Sequence, residues 1–217
     1  MKRVLILSIS AVMVFAFKGY GFGRGMHSHG MQQHLQISSL PKEELNDAEI
    51  EDLMHMREEE KLARDVYLTL YNKWHLKIFN NIAKSEQKHM DAVKRLIEKY
   101  SLQDPVKSDS IGSFTNPKMA QLYNQLVAKG SKSVVDALKV GATIEDLDIK
   151  DLEYAISRTD NRDISMVYNN LKRGSENHLR AFVRFLRRYG SDYEPQYISY
   201  EYFEEIISTP MKRRNKF

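Results

Sequence analysis

Five residues in this chain combine side chains that bind metal ions with a spacing that suits a shared site. They interrupt the apolar stripes of four predicted helices, and they are Glu60, Glu86, His89, Glu145 and His178. A carboxylate in an apolar stripe is costly unless another group pairs with it. Carboxylates and imidazoles suit iron and manganese, and a helix bundle can supply them from facing helices, with Glu-x-x-His placing two ligands one turn apart. The pattern therefore predicts a carboxylate-bridged centre for two metal ions.

The two halves of this predicted centre differ chemically. The segment Glu86–His89 is a complete Glu-x-x-His motif, whereas the matching segment Ser175–His178 begins with a serine. Glu176 is adjacent, but on a helix its side chain points about 100° away. Asp148, one turn beyond the glutamate of the third helix, is a candidate for the missing carboxylate. We expect Ser175 to lie beside the ligands, where it either supports them or permits close helix packing.

Each ligand candidate also has an explanation that needs no metal. Glu86 and His89 would form a buried hydrogen-bonded pair, and Glu60 would pair with Arg64 four residues later on the helix surface. His178 would be a core histidine with satisfied hydrogen bonds, and the glutamate of the third helix would be a charge on a helix face. A single interruption of this kind is usually structural, whereas four in register favour a shared site.

The remaining polar residues near the motifs are predicted to have other roles. Tyr67 is either a plain core residue or a hydrogen-bonded partner of the site, and Asp148 is either a ligand or a partner of one. His75 is predicted to lie in a turn. We expect four further acids to lie on solvated helix faces: Glu58, Glu59, Asp65 and Glu176.

Four long helices must position these residues. Apolar residues that recur every three or four positions predict helices at about 49–74, 78–100, 133–158 and 164–189. Within a hairpin, residues at equal depth are equidistant from the turn. The mean residue number of the ligand candidates is about 74 in the first hairpin and lies between 161 and 162 in the second. Both values fall in the predicted turns. Glu153, the rival ligand on the third helix, gives a midpoint near 165 and is therefore disfavoured.

The rest of the chain completes an all-α fold. Residues 101–132 form a long connection rich in helix breakers, with a short helix near 117–129. Such a connection lets the chain cross the bundle. We therefore predict a four-helix bundle over residues 41–209, with a long crossover between helices 2 and 3 and a short C-terminal helix at 199–208, followed by a basic tail at 210–217.

The N-terminal region predicts export to the periplasm or the extracellular space. Residues 1–21 combine a basic start with an apolar run of signal-peptide length, which is short for a membrane span; an uncleaved N-terminal anchor stays open. Residues 22–40 form a flexible Gly-rich linker that carries methionines and histidines. This linker is either a disordered spacer or a copper-binding segment.

Composition excludes several kinds of site. The chain of 217 residues contains no cysteine, which rules out disulfides, iron–sulfur clusters and thiolate zinc sites. Its net charge is +4, but the basic residues of the N-terminal segment and of the last six positions account for this excess, so the folded part is slightly acidic. No basic face with interleaved aromatic residues is apparent, so we expect no nucleic-acid partner.

Four segments of the chain resemble the ferritin-like superfamily, namely residues 59–67, 85–90, 140–149 and 174–182. More narrowly, residues 49–209 resemble an uncharacterised, domain-of-unknown-function branch of exported bacterial and archaeal proteins. The resemblance implies a ferritin-like four-helix bundle with a di-iron carboxylate site, in which Tyr67 lies near the metals. The ligand positions that it implies are Glu60, Glu86, His89, Glu145 and His178. A standard di-iron site and ferroxidase activity depend on the six-ligand pattern of the superfamily. Ser175 departs from this pattern.

Three functions are consistent with these features. The favoured one is an exported redox protein that binds two irons, or one iron and one manganese, and reacts with oxygen or peroxide; if it is an enzyme, it is a di-metal oxidoreductase. The second is a non-catalytic binding or stress-related module with a buried polar network. The third is metal trafficking outside the cytoplasm through the Met/His linker. Metal ions are the expected partners, a homodimer is open, and we expect no membrane contact beyond the N-terminal segment.

Overall fold

The computed structural model describes residues 39–211, and this part of the chain is a helical bundle without strands. Its six helices are α1 (Asp47–Trp74), α2 (Lys77–Lys99), α3 (Pro117–Gly130), α4 (Val134–Ser157), α5 (Arg162–Arg188) and α6 (Tyr200–Ser208). The prediction of an all-α fold is confirmed, and the ends of the four long helices agree with the sequence to within two residues. The predicted signal segment, most of the linker and the basic tail beyond residue 211 lie outside the described residues.

Local sequence signals explain where the helices begin and end. The Asn46 side chain accepts a hydrogen bond from the backbone N–H of Glu49, whose carboxylate accepts one in return, so α1 begins with a capping box. Asn116 and Ser133 cap α3 and α4 in the simpler way, through one side-chain acceptor each. His75 ends α1 in the left-handed conformation, with φ of 54°, so the chain turns into α2 within two residues.

The four long helices form two hairpins that face each other. Helix α1 packs along α2, and α4 packs along α5; α2 then contacts α5, and α1 contacts α4. Helix α3 lies against α1 and α4, and α6 lies against α5. The long connection between α2 and α4, with α3 inside it, forms the crossover that the sequence predicts.

Two apolar clusters fill the core, one toward each end of the bundle. The first contains the tilted aromatic rings of Tyr67, Phe79 and Phe182, and the second contains Leu53 and Tyr168. Along α1, α2 and α5, the predicted ligands occupy the positions between the residues of the two clusters. The bundle therefore has a buried polar layer between two apolar layers.

The crossover is fastened to α1 by buried basic residues. Arg57 donates hydrogen bonds to Asp104, Lys61 donates to the carbonyl of Ser110, and Arg64 donates to Asp109. Arg64 also pairs with its neighbour Asp65, as does Lys61, rather than with a ligand candidate. These contacts bury a face of α1 that its apolar spacing does not mark as internal.

Two of the acids predicted to be solvated on α1 are therefore buried, and that prediction is wrong for them. Asp65 is fully buried because it accepts hydrogen bonds from Lys61, Arg64 and the backbone N–H of Gly112. Glu58 is buried beneath the crossover, where it accepts a hydrogen bond from Asn116. Both corrections have the same cause, since the covering segment is distant in sequence.

The C-terminal segment is held to the bundle by one aspartate. Asp146 on α4 is fully buried and accepts hydrogen bonds from the hydroxyl of Tyr193 and from the backbone N–H groups of Gln196, Tyr197 and Ile198. The segment then leads into α6, where Tyr202 donates a hydrogen bond of 2.8 Å to a carboxylate on α5.

That carboxylate belongs to Glu176, which is buried rather than solvated as predicted, because α6 covers this face of α5. Among residues 39–211, no helix is both long enough and apolar enough to cross a membrane.

Candidate metal centre

The Glu86 carboxylate lies at the middle of the buried polar layer. One of its oxygens, Oε2, is 2.8 Å from Nδ1 of His89 on the same helix. The other oxygen, Oε1, is 2.8 Å from Nδ1 of His178 on α5. A single carboxylate thus spans two imidazoles that come from different hairpins.

The same ring nitrogen of each imidazole also faces a second carboxylate. Nδ1 of His89 lies 3.2 Å from Oε2 of Glu60 on α1, and Nδ1 of His178 lies 3.3 Å from Oε2 of Glu145 on α4. The two halves are therefore built alike, with one histidine, one terminal glutamate and one oxygen of Glu86. In each half, the three ligand atoms lie within 4.8 Å of one another.

All five residues predicted as principal ligands thus meet in one place. The three glutamates are buried, and the rings of His89 and His178 stack with their centroids 5.7 Å apart. Glu153, the disfavoured rival, is exposed and pairs with Lys172. Glu145, which lies as far from the second turn as His178 does, is therefore the residue of α4 that reaches the layer.

The position of the expected sixth carboxylate is occupied differently. Ser175 is fully buried and donates its one hydroxyl hydrogen to Oδ2 of Asp148, while the carbonyl of Leu171 lies 3.2 Å from the same Oγ atom. Asp148 is also buried, and its Oδ1 atom has no hydrogen-bond partner. Asp148 does not belong to either three-residue group, so it lies beside the ligand atoms rather than among them.

Two further residues fix the orientation of the ligands. The hydroxyl of Tyr67 donates a hydrogen bond of 2.6 Å to Oε1 of Glu145, which leaves Oε2 facing His178. Gly174 provides room for the other imidazole, since a β-carbon there would lie 2.6 Å from Cε1 of His89. Tyr67 therefore has both of its predicted roles. Its hydroxyl is hydrogen-bonded to the site, and its ring packs in the aromatic core.

Burial and crowding set the proton affinities of the acids. Burial raises the pKa of Glu60 to about 8, although the adjacent His89 acts in the opposite direction. Burial and neighbouring carboxylates also raise the pKa values of Glu145 and Asp148. Burial would raise the pKa of Glu86 as well, but the charges of the two histidines hold it well below its usual range.

The histidines respond to the same carboxylates. Burial alone would lower the pKa of His178, yet Glu86 and Glu145 raise it to about 10. The pKa of His89 is raised well above its usual value by Glu60 and Glu86, again against the effect of burial. The two histidines therefore hold their protons strongly in this layer.

Several buried polar atoms in the layer lack hydrogen bonds. Oε1 of Glu60 has no partner, and the Oε1 atom of Glu86 approaches Nδ1 of His178 without the alignment of a hydrogen bond. Buried polar atoms are nearly always satisfied, so these exceptions need an explanation. A cation held between these groups would satisfy several acceptors at once.

A second group of metal-competent side chains was missed from the sequence. His55 and Glu59 on α1 and Asp151 on α4 place their ligand atoms within 4.8 Å of one another, nearer the surface. Glu59 is buried, so its predicted place on a solvated face is wrong. The sequence signal for this group is the spacing of four residues between His55 and Glu59, which places both side chains on one face of a helix.

Comparisons with known proteins identify relatives of this chain. The sequence pattern of the family described as "Uncharacterized protein domain (DUF2202)" matches residues 49–210. The uncharacterized protein MJ0754 of Methanocaldococcus jannaschii is 68% identical over 177 residues, which are 82% of this chain and 96% of that protein. The crystal structure of the hypothetical protein MJ0754 from Methanococcus jannaschii is similar, with a TM-score of 0.79 at 68% identity, covering 80% of this chain and 99% of the other.

Proposed function

We propose that this chain, which belongs to the DUF2202 family of uncharacterized protein domains, binds two divalent metal ions in its buried polar layer. One ion is held by Glu60, Glu86 and His89, and the other by Glu86, Glu145 and His178. The observation that carries the proposal is the position of the Glu86 carboxylate between the two histidines. One of its oxygens lies 2.8 Å from His89, and the other lies 2.8 Å from His178. A carboxylate placed in this way suits a bridge between two ions.

The charge of the layer supports two divalent ions. Four buried carboxylates, from Glu60, Glu86, Glu145 and Asp148, face two imidazoles. If all four were ionised, two protonated histidines would leave a net charge of 4 − 2 = 2 negative units in a buried space, which is unfavourable. Without a metal ion the acids must therefore take up protons, as the raised pKa values of Glu60, Glu145 and Asp148 indicate. Two divalent cations with neutral histidines would balance the four carboxylates.

The ligand types favour iron or manganese. Imidazole and carboxylate donors suit both metals, whereas a copper(I) site would use thiolates or thioethers. We therefore propose a di-iron or iron/manganese centre of the ferritin-like kind, with a redox role linked to oxygen or peroxide. When bound, such a pair supplies electrons for the reduction of these substrates.

The protein's own groups would prepare the centre for this role. Tyr67 orients Glu145 through its hydrogen bond of 2.6 Å, and apolar clusters lie above and below the layer. Ser175 holds Asp148 beside the ligands. The centre would therefore have five firm ligands and one nearby carboxylate, which departs from the six-ligand pattern of di-iron relatives.

A non-catalytic module with a metal-free polar network is the second candidate. It is favoured by the hydrogen bond of 3.2 Å between Nδ1 of His89 and Glu60, which already satisfies one atom of each group. It predicts normal folding without metal and an unchanged melting temperature after treatment with a chelator. The two candidates therefore differ in a direct measurement.

Metal content tests the proposal. The purified protein is loaded with Fe²⁺ without oxygen, or with Mn²⁺, dialysed, and analysed by mass spectrometry of its metals. We expect Glu86→Gln to lose both ions of the layer, because both halves share this carboxylate, while the exposed Glu153→Gln keeps the native content. Equal metal content in the native protein and in Glu86→Gln would contradict the proposal, as would an absence of bound metal in both.

The N-terminal region adds two proposals that rest on sequence alone. We propose that residues 1–21 direct export, and that the Met/His linker at 22–40 binds copper if the protein traffics metal. Sequencing the N-terminus of protein from the extracytoplasmic fraction tests export. Deletion of residues 22–40 tests the linker, and equal copper uptake by the deleted form would contradict the trafficking function. Assembly as a homodimer remains a proposal that sedimentation can decide.

A further inference from the structure

A third group of ligand atoms lies on the outer side of the buried layer, between α1 and α4. We propose that His55, Glu59 and Asp151 bind one divalent transition-metal ion at a surface-accessible site, which we call the outer site. One imidazole and two carboxylates are ligands for Mn²⁺, Fe²⁺, Co²⁺ and Zn²⁺. The outer site shares no residue with the two halves of the buried centre.

The geometry of the outer site suits an ion more than a set of hydrogen bonds. Nε2 of His55 lies 3.4 Å from Oε2 of Glu59 and 3.6 Å from Oδ2 of Asp151. Both distances are long for hydrogen bonds between these groups. An ion with bonds of about 2.1 Å separates tetrahedral ligands by roughly 3.4 Å. The two distances from Nε2 of His55 are therefore close to those expected around one cation, and the three ligand atoms all lie within 4.8 Å of one another.

Glu59 provides a second, independent observation. The residue is only 4% exposed, and its Oε2 atom, which faces His55, has no hydrogen-bond partner. A buried carboxylate oxygen without a donor is costly. A cation beside it would satisfy this oxygen, and the position of His55 and Asp151 shows where that cation would lie.

Solvent reaches the outer site through a pocket of about 510 Å³, whose lining includes His55 and Asp151. The side chain of His55 is 45% exposed, so an ion can approach from water. Two basic residues also line the pocket, but Arg158 is paired with Asp52, and Lys150 contacts the other oxygen of Asp151 at 3.1 Å. Oδ2 of Asp151 therefore remains available toward His55.

The outer site is connected to the buried centre along α4. Glu145, Asp148 and Asp151 follow one another at intervals of three residues, so their side chains lie along one side of the helix, about 4.5 Å apart in height. The carboxylate of Asp148 is close enough to interact electrostatically with Glu59 and with Glu145. If the proposed function holds, the outer site captures ions and passes them along these carboxylates to the buried centre.

A binding experiment isolates the outer site from the buried centre. In the Glu86→Gln background, Mn²⁺ is titrated and the free ion is counted by electron paramagnetic resonance. We expect one bound ion per chain, with a dissociation constant that rises at least tenfold when His55→Ala and Asp151→Asn are added. Glu98→Gln, in an exposed ion pair with Lys94 on α2, is the matched control and should leave binding unchanged.

Circular dichroism melting verifies that the variants are folded, and the single change His55→Gln provides a milder version. Equal Mn²⁺ binding with and without the outer-site substitutions would overturn the proposal. This result is independent of the buried centre, whose failure would instead appear as equal metal content in the native protein and in Glu86→Gln.

A kinetic experiment tests the transfer role. Filling of the buried centre with Fe²⁺ is followed by stopped-flow absorption in protein that retains Glu86. We expect His55→Ala with Asp151→Asn to slow filling at least tenfold, while the buried centre reaches the same final occupancy. An unchanged filling rate would overturn the transfer role even if one ion were lost at the outer site.

Discussion

Ser175 on α5 donates its hydroxyl hydrogen to the Asp148 carboxylate on α4, and this bond crosses the interface between the helices of the second hairpin. In the first hairpin, the equivalent helix position carries Glu86, which faces the histidines directly. Ser175 is too short to act in the same way, and it holds a carboxylate from the neighbouring helix instead. The second half of the layer thus obtains its extra acid from α4 rather than α5.

Removal of this hydroxyl should destabilise the metal-free protein. Ser175→Ala leaves the buried Asp148 without its donor, and we expect a loss of about 1–3 kcal/mol in the free energy of unfolding, as for other buried acceptors that lose their partner. Urea unfolding with a chelator present measures this loss. Asp148→Asn is the matched control, because an amide oxygen can still accept from Ser175. An equal loss in both variants would contradict this account.

Gly174 should be required for the position of His89. In Gly174→Ala, the new β-carbon would lie 2.6 Å from Cε1 and 2.7 Å from Nε2 of His89, so the imidazole must move. We expect at least a tenfold weaker affinity for Mn²⁺ in a calorimetric titration. Gly141→Ala is the control, since its β-carbon meets the ring of Phe182. That variant should lose stability while the surviving folded protein retains its Mn²⁺ affinity.

Tyr67→Phe should affect one half of the centre more than the other. The change removes the donor to Glu145 and leaves a buried oxygen unsatisfied, which costs about 1.5–3 kcal/mol. We expect weaker binding of the ion beside His178 and nearly native binding of the ion beside His89. Titration with Co²⁺, monitored by visible absorption, separates the two binding steps. Equal weakening of both steps would show that Tyr67 acts only through general packing.

The stability of the metal-free protein should fall as the pH rises from 6 to 10. The pKa values of Glu60, at about 8, and His178, at about 10, are raised in the folded state. A group with a raised pKa stabilises the fold at low pH, and this contribution is lost as the pH rises through the raised value.

Bound Mn²⁺ should reverse this trend, because metal ligands must be deprotonated. We therefore expect the melting temperature of the metal-free protein to decrease from pH 6 to pH 10. Over the same range, the rise in melting temperature on addition of Mn²⁺ should become larger. Calorimetric melting curves at intervals of one pH unit provide both quantities. A flat profile for the metal-free protein would contradict the assignment of protons to the buried layer.

Asp146 should control the attachment of the C-terminal segment. It accepts four hydrogen bonds from residues 193–198, three of them from backbone N–H groups. Asp146→Asn replaces one acceptor oxygen by a donor, so we expect a loss of about 2–3 kcal/mol and faster proteolysis near residue 190. Mass spectrometry of the fragments locates the cleavage. Glu98→Gln, in an exposed ion pair with Lys94 on α2, should leave proteolysis unchanged.

Helix periodicity and turn positions were sufficient to predict the four long helices and the five residues that meet in the layer. A short hairpin turn fixes the relative depth of two helices, so the distances of Glu60 and Glu86 from one turn, and of Glu145 and His178 from the other, were enough to match each pair. The contact between Ser175 and Asp148 was harder to predict, because it depends on how the two facing helices are rotated about their axes. Sequence spacing identified both residues without showing that they bond.

The wrong predictions share a physical cause. Glu58, Asp65 and Glu176 are buried by the crossover and by α6, which are distant in sequence from the helices they cover. Apolar spacing within one helix reports only the face that packs in its own bundle, and it is silent on a face that is covered through ion pairs and hydrogen bonds. Glu59 belongs to the same class, because its environment depends on His55 and Asp151 together.

The division of Glu86 between two hairpins also has a kinetic consequence. Contacts within each hairpin are local and form readily, whereas the approach of Glu86 to His178 joins parts of the chain that are far apart in sequence and must form later. An ion coordinated by both residues would form its bonds after the folding transition state. It would therefore chiefly slow unfolding and leave the folding rate almost unchanged. Loss of metal would then shorten the lifetime of the folded chain.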